Sequence, residues 1–207
     1  TATMRPRIAY HTTGHGERPL RRPDEDDPRP PLTLVKKQLE NWQFEVKPLG
    51  VAEGLASEVP EDASVVMILG PEKPFLPAEI ETLEAALERG VRLLVALERD
   101  AEDGVLEPLL RRLGLRLDPT PLAHLRAHVP LTRTRADRSL IWSNRYSSHP
   151  SVTTMSRNER LATVFSKTGA LEKLEAGPQL EKAKLDVVLN AVEGTFADAD
   201  EDLEKDP

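Results

Sequence analysis

The first half of the chain carries the hydrophobic patterns of strands that alternate with helices. Residues 7–12 are typical of a strand, and residues 44–49 alternate between apolar and polar side chains. Residues 63–71 and 91–97 contain continuous apolar runs, which favour strands that are covered on both faces. We therefore expect these last two segments to be buried, neighbouring strands of one sheet.

Three segments show the apolar spacing of helices. Thr33 is a plausible N-cap for the first helix, Pro77 lies in the first turn of the second, and the third covers residues 105–113. Gly90 and Gly114 follow the second and third helices as stop signals. The expected apolar stripes are Leu34, Val35, Gln38, Leu39 and Trp42, then Ile80, Leu83, Ala86 and Leu87, then Leu106, Leu109, Leu110 and Leu113.

The predicted order β-α-β-β-α-β-α indicates an α/β fold with a mainly parallel sheet and helices on both faces. Beyond about residue 115 the pattern becomes strand-rich and lacks a strong helix, which predicts a β-rich C-terminal addition to the sheet. Its strand-like segments are residues 139–143, 162–166, 170–175 and 184–190.

We expect a single domain over residues 1–196, followed by an acidic, flexible tail at residues 197–207. The segment 21–30 is rich in proline and charge and is expected to be mobile for the same reason.

Composition excludes several functional classes. The formal net charge of −7 argues against a nucleic-acid-binding surface, which needs a basic face. The chain has no cysteine, so disulfides, cysteine-based zinc sites and a cysteine nucleophile are excluded. No apolar run is long enough to cross a membrane, and residues 1–7 do not resemble a signal peptide.

The turn Gly14-His15-Gly16-Glu17 follows the first predicted strand and is the main candidate for a site. Open α/β sheets bind ligands beyond the carboxyl ends of their strands, which is where this turn is expected. It lacks the third glycine and the following helix of a phosphate-binding loop. We therefore interpret it as a turn that needs glycine backbones, with His15 structural or ligand-contacting rather than a catalytic base.

Other candidate chemistry is weaker. His11, His15 and Glu17 lie on a strand and a turn, where no supported metal-ligand geometry is expected, so we predict no metal and no cofactor. His149 stands among serines in an apparent loop, and no nucleophile elbow of the form GxSxG occurs. The arginines of residues 131–138 suit either an anion site or a solvated strand or hairpin surface.

Several segments together resemble one protein family. They are the "GHGE" turn, the stretch "VPEDASVVMILGPEKPFLPAEIETLEAALERGVRLLVALERD", the helix "LLRRLGLRLD" and the later "SSHPSVTTMSRNERLATVFSKTGALEKLE". In this order they resemble the auxiliary domain of ABC-type transport systems, found in gliding-motility-associated ABC transporters. The resemblance extends from about Arg7 to about Phe196.

This resemblance implies a flavodoxin-like fold similar to class I glutamine amidotransferases, without their catalytic cysteine. It also implies a periplasmic or other extracytoplasmic location, a membrane anchor in the full-length protein, and a transporter permease as partner, with a cell-envelope ligand as a further possible partner. The family's membrane helices do not occur in residues 1–207.

The leading hypothesis is a non-enzymatic binding or scaffold domain of an ABC-type transporter or gliding-related complex. The alternatives are a degenerate amidotransferase-like hydrolase that uses His15, Glu17 or His149, and a module that binds a small polar ligand such as a sugar. The candidate ligand crevice comprises Gly14, His15, Gly16, Glu17, Pro71, Arg99 and His149.

Overall fold

The computed structural model describes residues 7–21, 29–179 and 184–203. The residues group into two compact units, Thr1–Leu109 and Leu110–Pro207, whereas the sequence predicted one domain over residues 1–196. The fold is mixed α/β, with one parallel sheet in the first unit and small antiparallel sheets in the second.

The first unit is built on a four-stranded sheet in which every pair of neighbours is parallel. Its strand order is β2-β1-β3-β4, so β1 lies in the centre between β2 and β3. The strands are β1 (Arg7–Thr12), β2 (Phe44–Leu49), β3 (Ala63–Leu69) and β4 (Arg92–Ala96), and the helices are α1 (Thr33–Asn41), α2 (Pro77–Glu88) and α3 (Glu107–Arg112). The predicted element order and the parallel pairing are therefore confirmed.

The core of this sheet uses aliphatic side chains from the two central strands and α1. Ala9 of β1 and Met67 and Leu69 of β3 form one cluster with Leu20 and with Leu39 of α1. Because β3 has a strand on each side and is apolar from Val65 onward, its last four residues are buried.

The expectation that β4 is buried on both faces is wrong. β4 is at the edge of the sheet, and Arg92, Leu94 and Ala96 are exposed while Leu93 and Val95 are partly buried. Leu94 is 48% exposed. The burial of β4 alternates along the strand, but the sequence does not show this alternation because apolar residues also occupy the solvent-facing positions.

The first predicted helix also needs correction. Thr33 begins α1 and does not cap it, since Leu32 occupies the N-cap position without a side-chain hydrogen bond. Leu34 and Trp42 are exposed, so the buried stripe of α1 is narrower than predicted. In α2, by contrast, Pro77 begins the helix as expected, and the buried side chains on it are Glu79, Ile80, Thr82, Leu83 and Ala86.

The second unit consists of four two-stranded antiparallel sheets, which pair β5 with β10, β6 with β12, β7 with β9 and β8 with β11. The expectation that these strands extend the parallel sheet is therefore wrong for the described residues. The elements are β5 (Leu115–Asp118), β6 (Leu122–Ala123), β7 (Leu140–Ser143), β8 (Arg145–Tyr146), α4 (Thr153–Ser156), β9 (Thr163–Ser166), β10 (Ala170–Lys173), β11 (Leu189–Asn190) and β12 (Phe196–Ala197).

The segment of arginines at 131–138 is neither a strand nor a hairpin. It contains a 3-10 helix at Arg135–Ser139, and the buried carboxylate of Asp137 accepts hydrogen bonds from the backbone amides of Thr132 and Arg133. Arg138 donates to the backbone oxygen of Leu203 at 2.7 Å. At least this arginine therefore has a structural contact within the unit.

Two segments were predicted to be flexible, residues 21–30 and the tail from residue 197. Residues 22–28 and 204–207 lie outside the described residues. The described ends of these segments hold defined contacts, through Arg29 and through Asp198. Their mobility stays a prediction.

Candidate functional site

The turn Gly14-His15-Gly16-Glu17 follows the carboxyl end of β1, where sequence analysis expected it. Gly14 and Gly16 have φ angles of 110° and 75°, a region that side-chain-bearing residues rarely adopt. The backbone oxygen of His15 between them accepts hydrogen bonds from the amides of Glu72 and Lys73, at 2.8 and 3.0 Å. The turn is thereby fixed to the loop that follows β3.

The imidazole of His15 points into the protein interior. Its Nε2 lies 2.9 Å from Oε2 of Glu79, whose side chain is fully buried in the first turn of α2. The ring stacks on Phe75, with centroids 3.9 Å apart and an interplanar angle of 13°. Oε2 of Glu79 also accepts the backbone N–H of Leu76 at 2.7 Å. His15 thus connects the turn to the start of α2.

The carboxylate of Glu17 serves the backbone of the same turn. Its Oε2 accepts the N–H of His15 at 2.9 Å, and its side chain is 2% exposed. Its Oε1 lies 3.7 Å from Nδ1 of His15, and both atoms are buried without a hydrogen-bond partner among the described residues. The side chain of Glu17 therefore keeps one acceptor that no described residue satisfies.

Arg29 holds the other side of the turn. Its guanidinium donates to the backbone oxygens of Gly16 and Gly70 at 2.6 and 3.1 Å and lies 3.1 Å from the carboxylate of Glu72. Because Gly70 follows β3, this one side chain joins the turn after β1 to the end of the neighbouring strand. Sequence analysis did not single out Arg29, which lies in the segment predicted to be mobile.

A crevice of about 510 Å³ opens beside the turn. Gly14, Gly16 and Glu17 line it, whereas the side chain of His15 is directed toward Glu79. The full lining is His11, Thr12, Thr13, Gly14, Gly16, Glu17, Pro19, Leu20, Arg21, Lys36, Val46 and Pro48.

His11 gives this crevice a second unsatisfied atom. The residue is 7% exposed, and its Nε2 has no hydrogen-bond partner among the described residues. Burial lowers the pKa of His11 below its usual value, although the negative charge of Glu17 acts in the opposite direction. Two of the side chains that line the crevice, Glu17 and His11, therefore each hold one buried polar atom that has no partner among the described residues.

The structure brings together only part of the predicted set. Pro71 is fully buried just after β3, and Arg99 is paired with Asp100 at 3.0 Å; neither lines the crevice. His149 belongs to the second unit, where its Nδ1 lies 2.8 Å from Oγ of Ser151 and also accepts that residue's amide N–H at 3.2 Å. His149 therefore caps a short 3-10 helix within its own loop, as the serine-rich sequence around it indicated.

Sequence analysis also missed Glu79 and Phe75, the partners of His15. Glu79 did carry a signal, because it shares the helix face of Leu83 and Ala86 at spacings of four and seven. A carboxylate on a buried apolar stripe needs a polar partner. Nothing in the pattern showed that the partner would be His15, which lies 64 positions earlier.

Among the described residues, no helix combines the length and the apolar character that a membrane crossing requires. No family model matches the chain. No curated protein matches it in sequence.

The solved structures that resemble this fold include a chain named "mmIFT52 N-terminal domain". The two are 15% identical with a TM-score of 0.62, and the match covers 91% of this chain and 74% of that chain. IFT52 is a protein of intraflagellar transport, so the expectation of an ABC-transporter or gliding-complex scaffold is corrected by this finding. The chain is similar in fold to an IFT52 N-terminal domain.

Proposed function

We propose that this chain is a non-enzymatic binding domain that works within a multi-protein transport assembly, a class suggested by its likeness in fold to a domain of IFT52, a protein of intraflagellar transport. The proposal depends on one observation. The turn after β1 commits its imidazole to Glu79 and Phe75 in the interior, while Glu17 and His11 line the adjacent crevice and each hold one buried polar atom without a partner among the described residues.

The contacts of the His15 imidazole support a domain without catalytic activity. A general base must reach the proton that it abstracts, directly or through one water. The ring of His15 is stacked on Phe75 and bonded to a buried carboxylate, and no serine or threonine hydroxyl bonds to it among the described residues. The geometry is that of a structural connection between the turn and α2.

The sheet supports a flavodoxin-like assignment, which we propose as the finer description of the first unit. The order β2-β1-β3-β4 with all strands parallel equals the first four positions of the flavodoxin-like order 2-1-3-4-5. Right-handed crossovers then place α1 and α2 on opposite faces of the sheet. In such sheets ligands bind beyond the carboxyl ends of the strands, and the crevice lies at the carboxyl end of β1.

The crevice is suited to a polar group presented by a partner. Glu17 and His11 line it with polar side chains, and Lys36, whose Nζ lies 3.6 Å from Oε1 of Glu40, adds a cation with a side chain 25% exposed. Apolar surface from Leu20 and Val46 lines the same space. Such a mixture of a few polar groups with apolar walls is typical of binding pockets.

The test uses Lys36→Glu, with Lys37→Glu as the matched control. Lys37 is the next residue on α1, is exposed and does not line the crevice. The purified chain is immobilised, proteins of the source cell are captured, and bound proteins are quantified by mass spectrometry. We expect a set of proteins that the wild type and Lys37→Glu retain and Lys36→Glu loses.

Equal capture by all three proteins would contradict a role for the crevice. The enzymatic alternative is tested separately on ester, amide and glycoside substrates. Turnover by the wild type that disappears in His15→Gln would refute the non-enzymatic proposal.

A further inference from the structure

The last described segment of the chain brings three aspartates together. After β12 pairs with β6, the backbone N–H of Asp198 donates to the oxygen of Pro121 at 2.9 Å. Asp198, Asp200 and Asp202 follow at alternate positions, and one oxygen from each carboxylate lies within 4.8 Å of the others. Alternate aspartates of this kind supply the first ligands of calcium-binding loops.

Asp198 differs from its two neighbours because it is buried. It is 2% exposed, whereas Asp200 and Asp202 are exposed. Its Oδ2 accepts the N–H of Leu203 at 2.9 Å, and its Oδ1 is buried without a hydrogen-bond partner among the described residues. A buried carboxylate oxygen without a partner is costly, so this position calls for a group that compensates it.

Two further carboxylates lie close to this buried oxygen and add negative charge beside it. The guanidinium of Arg138 contacts this segment through the backbone oxygen of Leu203. Three carboxylates thus concentrate negative charge around one buried oxygen.

We propose that Asp198, Asp200 and Asp202 bind a Ca²⁺ ion. All three ligands are carboxylate oxygens, which hard cations prefer, and no nitrogen or sulfur ligand belongs to the cluster. Ca²⁺ accepts six to eight oxygens in flexible geometry, so carboxylates from one short segment can share the ion with water. Mg²⁺ more often uses one or two carboxylates in a strict octahedron.

The ion would act as a structural clasp. It would neutralise the repulsion among the three carboxylates and hold residues 198–203 next to β6 and Arg138, which already contact this segment. A cation that binds only the folded state raises stability by mass action. This site is separate from the crevice of the first unit and independent of the proposed function.

The experiment is calorimetric titration of chelator-treated wild-type protein with CaCl₂ and, separately, MgCl₂. We expect one Ca²⁺ per chain with a Kd between about 1 µM and 1 mM, and weaker binding of Mg²⁺. Asp200→Asn/Asp202→Asn changes exposed side chains and should weaken Ca²⁺ binding at least about tenfold. Asp103→Asn, an exposed aspartate of the other unit, is the matched control and should bind as the wild type does.

Thermal denaturation provides a second readout. Ca²⁺ should raise the Tm of the wild type and of Asp103→Asn but leave the Tm of Asp198→Asn unchanged. The proposal is overturned by an absence of saturable heat up to about 10 mM Ca²⁺, ten times the weak end of known sites, or by equal binding in the double variant. Tighter binding of Mg²⁺ than of Ca²⁺ would overturn the choice of ion.

Discussion

Nε2 of His15 and Oε2 of Glu79 lie 2.9 Å apart, and both side chains are at least nine-tenths buried. This pair joins the turn after β1 to the first turn of α2. Because Glu79 is completely shielded from solvent, its carboxylate depends on His15 and on the amide of Leu76 for hydrogen bonds. The pair therefore matters to the stability of the whole first unit.

The first prediction follows from this dependence. His15→Ala should lower the free energy of unfolding by roughly 3 kcal/mol, because it leaves a buried carboxylate without its side-chain partner. Urea denaturation of both proteins measures this difference. His149→Ala is the control, since His149 contacts only its own loop through Ser151, and it should cost well under about 1 kcal/mol. Equal losses in both variants would contradict the assignment.

The second prediction concerns Tyr10 on β1. Its hydroxyl donates to Oδ1 of Asp62 at 2.9 Å, and burial together with this bond raises its pKa to about 12 from a usual 10.0. The chain has two tyrosines. In a Tyr146→Phe background, the tyrosinate absorbance should therefore appear near pH 12, and Asp62→Asn should move it toward pH 10. A titration midpoint near pH 10 in the Tyr146→Phe protein would refute the raised pKa of Tyr10.

The third prediction is a pH dependence caused by His11. Burial lowers its pKa in the folded state below 6.5, so the unfolded state binds a proton first as the pH falls. The stability of the wild type should therefore decrease below about pH 6.5 by this contribution, which His11→Gln lacks. The difference in unfolding free energy between the two proteins, measured from about pH 5 to 7.5, should change in favour of the wild type as the pH rises. Parallel pH profiles would show that His11 titrates normally.

The fourth prediction compares two glycines with positive φ. A Cβ at Gly114 would lie 2.5 Å from the backbone of Gly177 and Pro178, whereas one at Gly104 would meet no atom within 4 Å. Gly104→Ala should cost about 1 kcal/mol, the price of a left-handed backbone for alanine. Gly114→Ala should cost at least twice as much, because the two backbone segments must also separate. Thermal and urea denaturation measure both values, and similar losses would contradict this packing.

The sequence predicted those parts of the fold that depend on local pattern. The apolar run of β3, the proline that begins α2 and the turn after β1 all lie where expected. The exposed face of β4 could not be predicted, because Leu94 is as apolar as its partly buried neighbours and the pattern does not show that β4 is an edge strand.

The candidate site was predicted in position but not in chemistry. The glycines identified the turn, since their positive φ angles reflect a local requirement. The partner of His15 depends on how α2 packs beside the turn after β1, and these two elements are far apart in sequence. The same holds for Arg29, whose role becomes visible only when the ends of β1 and β3 meet.

The central place of β1 in the sheet has a consequence for how the chain is made. Residues 7–12 leave the ribosome before β3 does, and their strand is complete only when β3, more than fifty residues later, pairs with its second edge. Ile8, Ala9 and Tyr10, which are buried in the folded protein, therefore remain without their contacts to β3 while the intervening residues are synthesised. We expect nascent chains that end before residue 63 to be prone to aggregation and to bind chaperones, and chains that extend past β3 to lose that property.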